Sequence, residues 1–338
     1  PDNISTLPGT LRTAGYQTSL IGKWHLGKSG TPQNHGFDHF YGFLGPQIDY
    51  FTHTNQRGEL DWQRDGKPLN EDGYSTYLFA DEAIRQIKQR GSNHRFFITV
   101  AFNAVHIPNA APAELMAKYQ SLPDQEATRA AMIEALDTSI GRILGALDET
   151  GLRDQTLVVF FSDNGSGGRA GGSNAPLRGG KGTMFEGGIR TPCLLRWPNH
   201  LKPAAESQQL ISVHDLFPTL AAAAGVKPPT TAKLDGKNLW DSIRTGNTQD
   251  RGTMIIAGSD LALFDSGWKL IETADGTRSL FRLADDPREA TNLLAKNPDV
   301  AQRLAARLEE AKNGLPAAPP PFRPGRGNPA GRAGSPSP

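Results

Sequence analysis

Apolar and polar positions form two distinct patterns over the first 225 residues of the chain. Segments of strand length that are rich in apolar or β-forming residues occur at residues 16–21, 96–102, 157–161 and 191–197. Between them, apolar residues recur at three- and four-residue intervals, which predicts helices at residues 74–90, 124–150 and 216–224. Strands that alternate with helices are typical of an α/β fold. We therefore predict a mostly parallel central sheet with helices on both faces.

The run Leu157–Phe161 is apolar throughout, a pattern typical of a strand that is covered on both faces. We therefore place it at the centre of the predicted sheet. Ser162-Asp163-Asn164-Gly165 follows it, and α/β proteins usually bind ligands at the carboxyl ends of such strands. The alternative is that Asp-Asn-Gly simply forms a turn, because these residues tolerate a left-handed backbone.

The pattern changes near residue 253. Short apolar runs separated by turn residues occur at 254–257, 268–272 and 279–283, and a helical spacing follows at 298–313. This order predicts a small antiparallel sheet followed by one helix. The last stretch contains three Arg, no acidic residue and many Pro and Gly, which predicts disorder. We therefore expect an α/β domain at 1–250, a subdomain at 251–313 and a tail at 314–338.

Composition excludes several classes of protein. The chain has 36 basic and 35 acidic residues, so charge gives no reason to expect a nucleic-acid partner. No apolar run approaches the roughly 18 residues that span a bilayer. Cys193 is the single cysteine, which rules out an intrachain disulfide or a thiolate metal cage. Its apolar neighbours predict a buried small hydrophobic residue rather than a reactive thiol.

Polar residues follow three of the predicted strands. Lys23 and His25 come after the first strand, His106 after the second, and Asp163 and Asn164 after the third. Lys181 lies at the end of the glycine-rich segment that continues from the third strand, in Gly180-Lys181-Gly182. Because parallel strands end at the same edge of a sheet, we expect all six side chains to share one cleft.

These residue types indicate a particular chemistry. Asp163 and Asn164 offer only oxygen ligands, which suit Ca²⁺ or Mg²⁺ rather than zinc. Lys23 and Lys181 are suitable counter-charges for a tetrahedral phosphate or sulfate. His25 and His106 could transfer protons near neutral pH, although either could also have a purely structural role.

Several segments together resemble the type I sulfatases, which belong to the alkaline-phosphatase-like superfamily. The segments with the most specific resemblance are Gly22–Gly27, Ser162–Gly165 and Leu177–Gly188. The resemblance continues at Asp49–His53, Trp268–Ile271, Leu280–Pro287 and Thr291–Leu293. The resemblance covers nearly the whole chain except the Pro-rich tail.

The resemblance implies a hydrolase of sulfate esters that is periplasmic or secreted. It implies that Asp163 and Asn164 bind a divalent cation, usually Ca²⁺, with Mg²⁺ as the alternative. Lys23 and Lys181 would hold sulfate oxygens, with Lys181 near the ester oxygen that leaves. His25 would contact the formylglycine nucleophile, and His106 would bind sulfate and protonate the leaving group.

The nucleophile pattern of this family, Cys/Ser-X-Pro-X-Arg, is absent. Cys193 has Leu in place of Pro, and Ser121-Leu122-Pro123-Asp124-Gln125 has Gln in place of Arg. In the family, this pattern and the first strand with its paired aspartates precede the lysine-tryptophan-histidine turn. We therefore expect the C-terminal two-thirds or so of a sulfatase, with formylglycine on a residue outside this chain. We also expect the chain alone to be inactive and to expose an apolar sheet edge.

The stretch at residues 37–67 is long, aromatic and charged, which suits a loop that walls a sugar pocket. We therefore expect a sulfated carbohydrate, rather than a small aryl sulfate, as the substrate. One alternative is a phosphoester or phosphonate hydrolase of the same superfamily, because both oxyanions are tetrahedral. Another is a non-catalytic protein that binds sulfated glycan or a partner. The sequence leaves the oligomeric state open.

Overall fold

A computed structural model describes residues 4–27, 30–90, 94–168 and 171–314. The chain divides into two compact units. The first unit comprises residues 1–174 and 190–251, and the second comprises residues 175–189 and 252–338. From residue 315 onward, the predicted disordered tail lies outside the described residues.

The first unit combines helices with two sheets. Its helices are α1 (Leu7–Thr13), α2 (Ser75–Arg90), α3 (Ala113–Met116), α4 (Asp124–Glu149), α6 (Val213–Ala223) and α7 (Trp240–Thr245). Its strands are β1 (Gln17–Lys23), β2 (His39–Phe43), β3 (Gln63–Arg64), β4 (Lys67–Pro68), β5 (Phe96–Ala101), β6 (Val158–Phe161) and β7 (Cys193–Arg196).

The larger sheet of this unit has five strands in the order β4-β3-β2-β1-β5. β1 is parallel to both β2 and β5, whereas β3 and β4 form an antiparallel hairpin at one side. The prediction of an α/β fold is confirmed, and the sheet is mixed. β2 and the hairpin were not predicted from the sequence.

Three backbone segments approach each other closely in the middle of this sheet. Gly22 lies in register with Gly42 on one side and with Ala101 on the other. A Cβ atom on Gly22 would overlap the carbonyl oxygen of Ala101, and one on Gly42 would overlap the backbone of Gly22. Glycine is therefore required at both positions, and we call Gly42, Gly22 and Ala101 the glycine row.

β6 does not lie at the centre of the sheet, and that prediction is wrong. Within the described residues it pairs only with β7, antiparallel, in a separate two-stranded sheet. Phe160, Phe161 and Leu194 are 39%, 44% and 61% exposed. The interpretation of Cys193 as buried is also wrong, since this residue is exposed on β7.

Most aromatic side chains of residues 37–67 are part of the hydrophobic core. Tyr41 and Phe43 of β2 are buried together with Trp62 and Phe79. The ring of Trp62 lies 5.1 Å from the rings of both Tyr41 and Phe79. The aromatic residues of this stretch therefore give no support to the interpretation of it as the wall of a sugar pocket.

α4 is the longest helix, and its burial differs in part from the predicted pattern. Ala131, Ala135 and Ser139 are fully buried, whereas Ile133, which the apolar spacing placed on the buried face, is exposed. Small side chains on the packed face allow α2 and α4 to approach closely. None of the helices in the described residues is both long and apolar enough to cross a membrane.

The second unit contains a four-stranded antiparallel sheet in the order β11-β10-β9-β8. Its elements are α5 (Glu186–Ile189), β8 (Met254–Ala257), β9 (Leu261–Asp265), β10 (Trp268–Glu272), β11 (Arg278–Arg282) and α8 (Pro298–Lys312). Leu304 and Leu308 of α8 are fully buried against one face of this sheet. The predicted antiparallel sheet and helix are both present, with β9 in addition.

Candidate functional site

Lys23 and His25 lie at the carboxyl end of β1. Lys23 is the last residue of the strand and is in register with Phe43. The next two residues follow the neighbouring strand, because the backbone nitrogen of Trp24 donates to the Phe43 carbonyl (3.0 Å) and that of His25 to the Leu44 carbonyl (3.2 Å). His25 has a left-handed backbone with φ of 55° and is exposed. This turn presents both side chains at the same edge.

His106 lies in the loop that follows the adjacent parallel strand, β5. The backbone nitrogen of His106 donates to the Asn103 carbonyl (2.8 Å), which closes the loop on itself. The hydroxyl of Tyr50 donates to the carbonyls of Asn103 (2.7 Å) and His106 (2.9 Å). Burial of Tyr50, together with nearby Tyr74, raises its pKa, so the hydroxyl keeps its proton and remains a donor.

The imidazole of His106 has a defined orientation. Its Nδ1 lies 2.7 Å from the carbonyl oxygen of Ile107. Because a carbonyl can only accept, Nδ1 must carry the proton of this hydrogen bond. In the neutral ring Nε2 is then the basic nitrogen, and in the charged ring Nε2 carries the second proton. This arrangement suits a general acid or base.

Asp163 and Asn164 follow β6, which begins near the same part of α4 as β5. Phe96 and Val158, at the starts of β5 and β6, share a cluster with Leu147 near the end of α4. The other half of α4, around Met132, packs against the loop around Val105 that follows β5. That Asp163 and Asn164 lie near His106 stays a prediction.

The donor atoms of this pair fit a hard cation in type. Asp163 is exposed and makes no hydrogen bond or ion pair with other described residues. Asn164 donates from Nδ2 to the Gly165 carbonyl (3.0 Å), which leaves Oδ1 as the oxygen available to a cation. Within the described ranges, no group of three or more His, Cys, Asp and Glu is arranged to hold a metal. Ca²⁺ binds about six to eight oxygens, so this pair supplies only part of a complete site.

Lys181 belongs to the second unit, where it lies in a tightly bonded loop. The backbone nitrogen of Gly180 donates to Oγ1 of Thr183 (3.2 Å), and that Oγ1 donates to the Gly180 carbonyl (2.8 Å). The Gly187 nitrogen donates to the Arg178 carbonyl (2.7 Å), which joins the two ends of the loop. Lys181 therefore projects from a backbone whose course is fixed on both sides.

The six predicted site residues are thus distributed over three structural contexts. Lys23, His25 and His106 follow adjacent parallel strands of one sheet. Asp163 and Asn164 follow the two-stranded sheet of the same unit, and Lys181 is in the other unit. Tyr50 was missed as a support of the His106 loop. It falls in the segment Asp49–His53, but nothing in the spacing of the sequence indicates which carbonyls its hydroxyl contacts.

The model of the Sulfatase family matches residues 1–226. The chain belongs to the sulfatase family. It is 36% identical over 279 residues to the N-acetylgalactosamine-6-sulfatase of Homo sapiens, in an alignment that covers 77% of this chain and 52% of that protein. It is 29% identical over 392 residues to the arylsulfatase J of Mus musculus, covering 97% of this chain and 65% of that protein.

The chain is also similar to proteins of known structure. The chain is similar to the crystal structure of Ps i-CgsB in complex with k-i-k-neocarrahexaose, with a TM-score of 0.84 and 30% identity. That comparison covers 92% of this chain and 74% of the other. The chain spans about half the length of the N-acetylgalactosamine-6-sulfatases that it matches.

Proposed function

We propose that the protein hydrolyses sulfate esters. We also propose that its active site includes the edge of the five-stranded sheet at which β1 and β5 end. The observation that carries the proposal is the placement of Lys23, His25 and His106 at the ends of two adjacent parallel strands. Binding of anions and transfer of protons are thereby combined at one place. The names of the relatives, which are sulfatases, support the same reaction.

The two lysines would bind the sulfate group. Lys23, at the end of β1, would contact one of its oxygens. The resemblance to the family assigns to Lys181 the ester oxygen that leaves, where negative charge develops as the bond to sulfur breaks. An ammonium group placed there stabilises the transition state more than the ground state, which is the requirement for faster chemistry.

The two histidines would move protons. The hydrogen bond from Nδ1 of His106 to the Ile107 carbonyl assigns the acid–base role of the ring to Nε2, which would donate a proton to the leaving alkoxide. His25 follows Lys23 by two residues and would contact the nucleophile. Histidine is the side-chain type suited to proton transfer in each direction.

Two groups that the family implies would complete the site. Asp163 and Asn164 would hold Ca²⁺ or Mg²⁺ through their side-chain oxygens, and such an ion neutralises charge on bound sulfate. Formylglycine, formed on a residue outside these 338, would supply the nucleophile. Neither residue of the pair is blocked, because Asp163 has no partner within the described chain.

We propose a sulfated carbohydrate as the substrate. The support comes from relatives: one is named for N-acetylgalactosamine 6-sulfate, and one solved structure contains neocarrahexaose. The aromatic stretch at residues 37–67 does not support the choice, because most of its rings are in the core.

Sulfate release by the protein made from its complete reading frame tests the proposal. Sulfated galactosamine and carrageenan oligosaccharides, nitrophenyl sulfate, and a phosphonate ester would be compared under the same conditions. We expect the oligosaccharides to be turned over fastest. Loss of one transition-state donor typically costs about 10²–10³ in kcat, and we expect a loss of that order for His106→Ala. Turnover of the phosphonate alone would contradict the proposal, and turnover of only the aryl ester would contradict the choice of carbohydrate.

A further inference from the structure

A buried cluster of three charges lies beside the loop that carries Lys181. Nζ of Lys269 lies 2.8 Å from a carboxylate oxygen of Glu186 and 2.7 Å from one of Glu289. The side chains of Lys269 and Glu289 are 0% exposed, and Glu186 is nearly as well buried. Two carboxylates therefore share a single ammonium group away from water.

Glu289 contacts both ends of this loop, defined here as residues 178–186. Its second carboxylate oxygen accepts a hydrogen bond from the backbone nitrogen of Glu186 (2.6 Å). Its backbone carbonyl accepts one from the guanidinium of Arg178 (3.0 Å). The same guanidinium lies over the ring of Phe185, 4.0 Å from its centre. Glu289 thus holds the two ends of the loop together from outside it.

A cluster of this kind is an expensive way to stabilise a fold. A buried charge must be fully paired to offset its loss of water, and apolar residues of the same volume often serve stability better. Burial raises the pKa of Glu289, although the ammonium of Lys269 and the backbone hydrogen bond from Glu186 act in the opposite direction. Stability alone therefore does not account for the cluster, whereas a requirement for one fixed loop geometry does.

We infer that Glu289 is a positioning residue, which acts with Lys269 and Glu186 to fix the loop from which Lys181 projects. The inference rests on the proposed function, since it assigns Lys181 a role in binding sulfate. Within the loop, Thr183 bonds to Gly180 on both its nitrogen and carbonyl, so the tip is internally rigid. The contacts of Glu289 at the two ends then determine where that rigid tip points.

The first part of the inference is that Glu289 fixes the loop at residues 178–186. Hydrogen exchange in the protein made from its complete reading frame tests this part. Glu289→Gln keeps the size of the side chain but places an amide where the ammonium of Lys269 requires a carboxylate. We expect the peptide covering residues 178–189 to exchange at least about tenfold faster, because local opening becomes easier. Peptides from α8 should be unchanged. Asp265→Asn is the matched control, since Asp265 is a buried carboxylate of the same unit that pairs with Arg303 and Arg307 instead.

Kinetics test the link to Lys181. We expect Glu289→Gln to lower kcat/KM on the sulfate ester by roughly tenfold, and Asp265→Asn to change it by less than about twofold. In the Lys181→Ala background, Glu289→Gln should have almost no further effect, because residues that act through one group are not additive. A general loss of stability would instead lower activity in both backgrounds.

The outcomes are distinguishable. Unchanged exchange at residues 178–189, or full additivity with Lys181→Ala, would overturn the inference while leaving sulfate hydrolysis intact. If the unmodified protein released no sulfate, the proposed function would fail, and exchange alone would decide whether Glu289 positions the loop. If Glu289→Gln did not fold, Glu186→Gln, which keeps the bonds of Glu289 to both loop ends, would be measured in its place. It is expected to increase exchange to a smaller extent, and exchange equal to that of the unmodified protein would again overturn the inference.

Discussion

The buried hydroxyl of Tyr50 holds the backbone of His106 in place, with a hydrogen bond of 2.9 Å to its carbonyl oxygen. The two residues are 56 positions apart in the chain. This contact joins the segment that follows β2 to the loop that follows β5, and it stands next to the imidazole assigned to proton transfer.

Tyr50→Phe removes this hydrogen-bond donor. The buried carbonyl oxygens of Asn103 and His106 then lose the hydrogen bond that the hydroxyl provides. We expect the free energy of unfolding to fall by about 1–3 kcal/mol. We also expect a lower kcat, because the His106 loop loses its anchor. Urea unfolding and initial rates would measure the two effects. Tyr41→Phe is the control, since Tyr41 is equally buried but donates to Glu71. Equal effects of both changes on kcat would contradict a specific role for Tyr50.

Glu82 should make stability depend on pH. Burial alone would raise the pKa of Glu82, but hydrogen bonds from His39, Arg85 and Gln86 outweigh it, and the pKa is lowered. A lowered pKa in the folded state gives stability that is present above the unfolded value of about 4.5 and is lost as pH falls below it.

Urea unfolding of the unmodified protein and of Glu82→Gln from pH 7 down to pH 3.5 would test this expectation. The glutamine variant should be less stable at pH 7, by about 3 kcal/mol, because Arg64 and His39 lose a buried partner. The difference should shrink below about pH 4.5, because the carboxyl of Glu82 then becomes protonated in the unfolded chain while it stays charged in the folded protein. A difference that stayed constant over the whole range would show that the charge of Glu82 contributes little.

Asp163→Asn should abolish stabilisation by a divalent cation. A ligand at 100 times its Kd adds about 2.7 kcal/mol to stability, which raises Tm. We expect Ca²⁺ to raise Tm of the protein from the complete reading frame, EDTA to reverse the rise, and Asp163→Asn to show neither effect. Asp137→Asn, a change to another exposed aspartate of the same unit, should respond like the unmodified protein. An equal rise of Tm in both variants would place the cation elsewhere.

The 338-residue chain by itself should associate through the sheet of β6 and β7. Phe160 and Leu194 are opposite each other on the two strands, and both are exposed. Exposed apolar strands invite pairing between molecules, whereas lysine on an edge strand opposes it. We expect Leu194→Lys to reduce light scattering at a given concentration, and Leu210→Lys, which changes an exposed leucine outside the strands, to have little effect. A monodisperse, monomeric parent chain would contradict the expectation.

Local sequence patterns predicted the individual helices and strands better than they predicted which strands pair with each other. The helices α2, α4 and α8 and the strands β1 and β5 fall within one or two residues of the predicted bounds, because strong apolar periodicity sets them. β2 was missed because its glycine and aromatic residues, His39-Phe40-Tyr41-Gly42-Phe43, show neither alternation nor a continuous aliphatic run. Which strands pair is decided by contacts far apart in sequence.

The same limit explains the errors at β6 and Cys193. An apolar run specifies a strand, but it does not specify how many neighbours that strand has. For the candidate site, chain position after β1 and β5 is the basis for predicting that Lys23, His25 and His106 share one edge. The contacts of Tyr50, Lys269 and Glu289 could not be anticipated, because they join segments far apart in the sequence through single hydrogen bonds or ion pairs.

The glycine row restricts how this sequence can vary. Gly22 immediately precedes Lys23, and any side chain at position 22 or 42 would push adjacent strands apart directly behind the candidate site. In a library that contains every single substitution, both positions should retain only glycine, even though neither contacts a substrate. Engineering of substrate preference therefore has to begin from the loops, because the strand ends from which they start cannot accept a change at these positions.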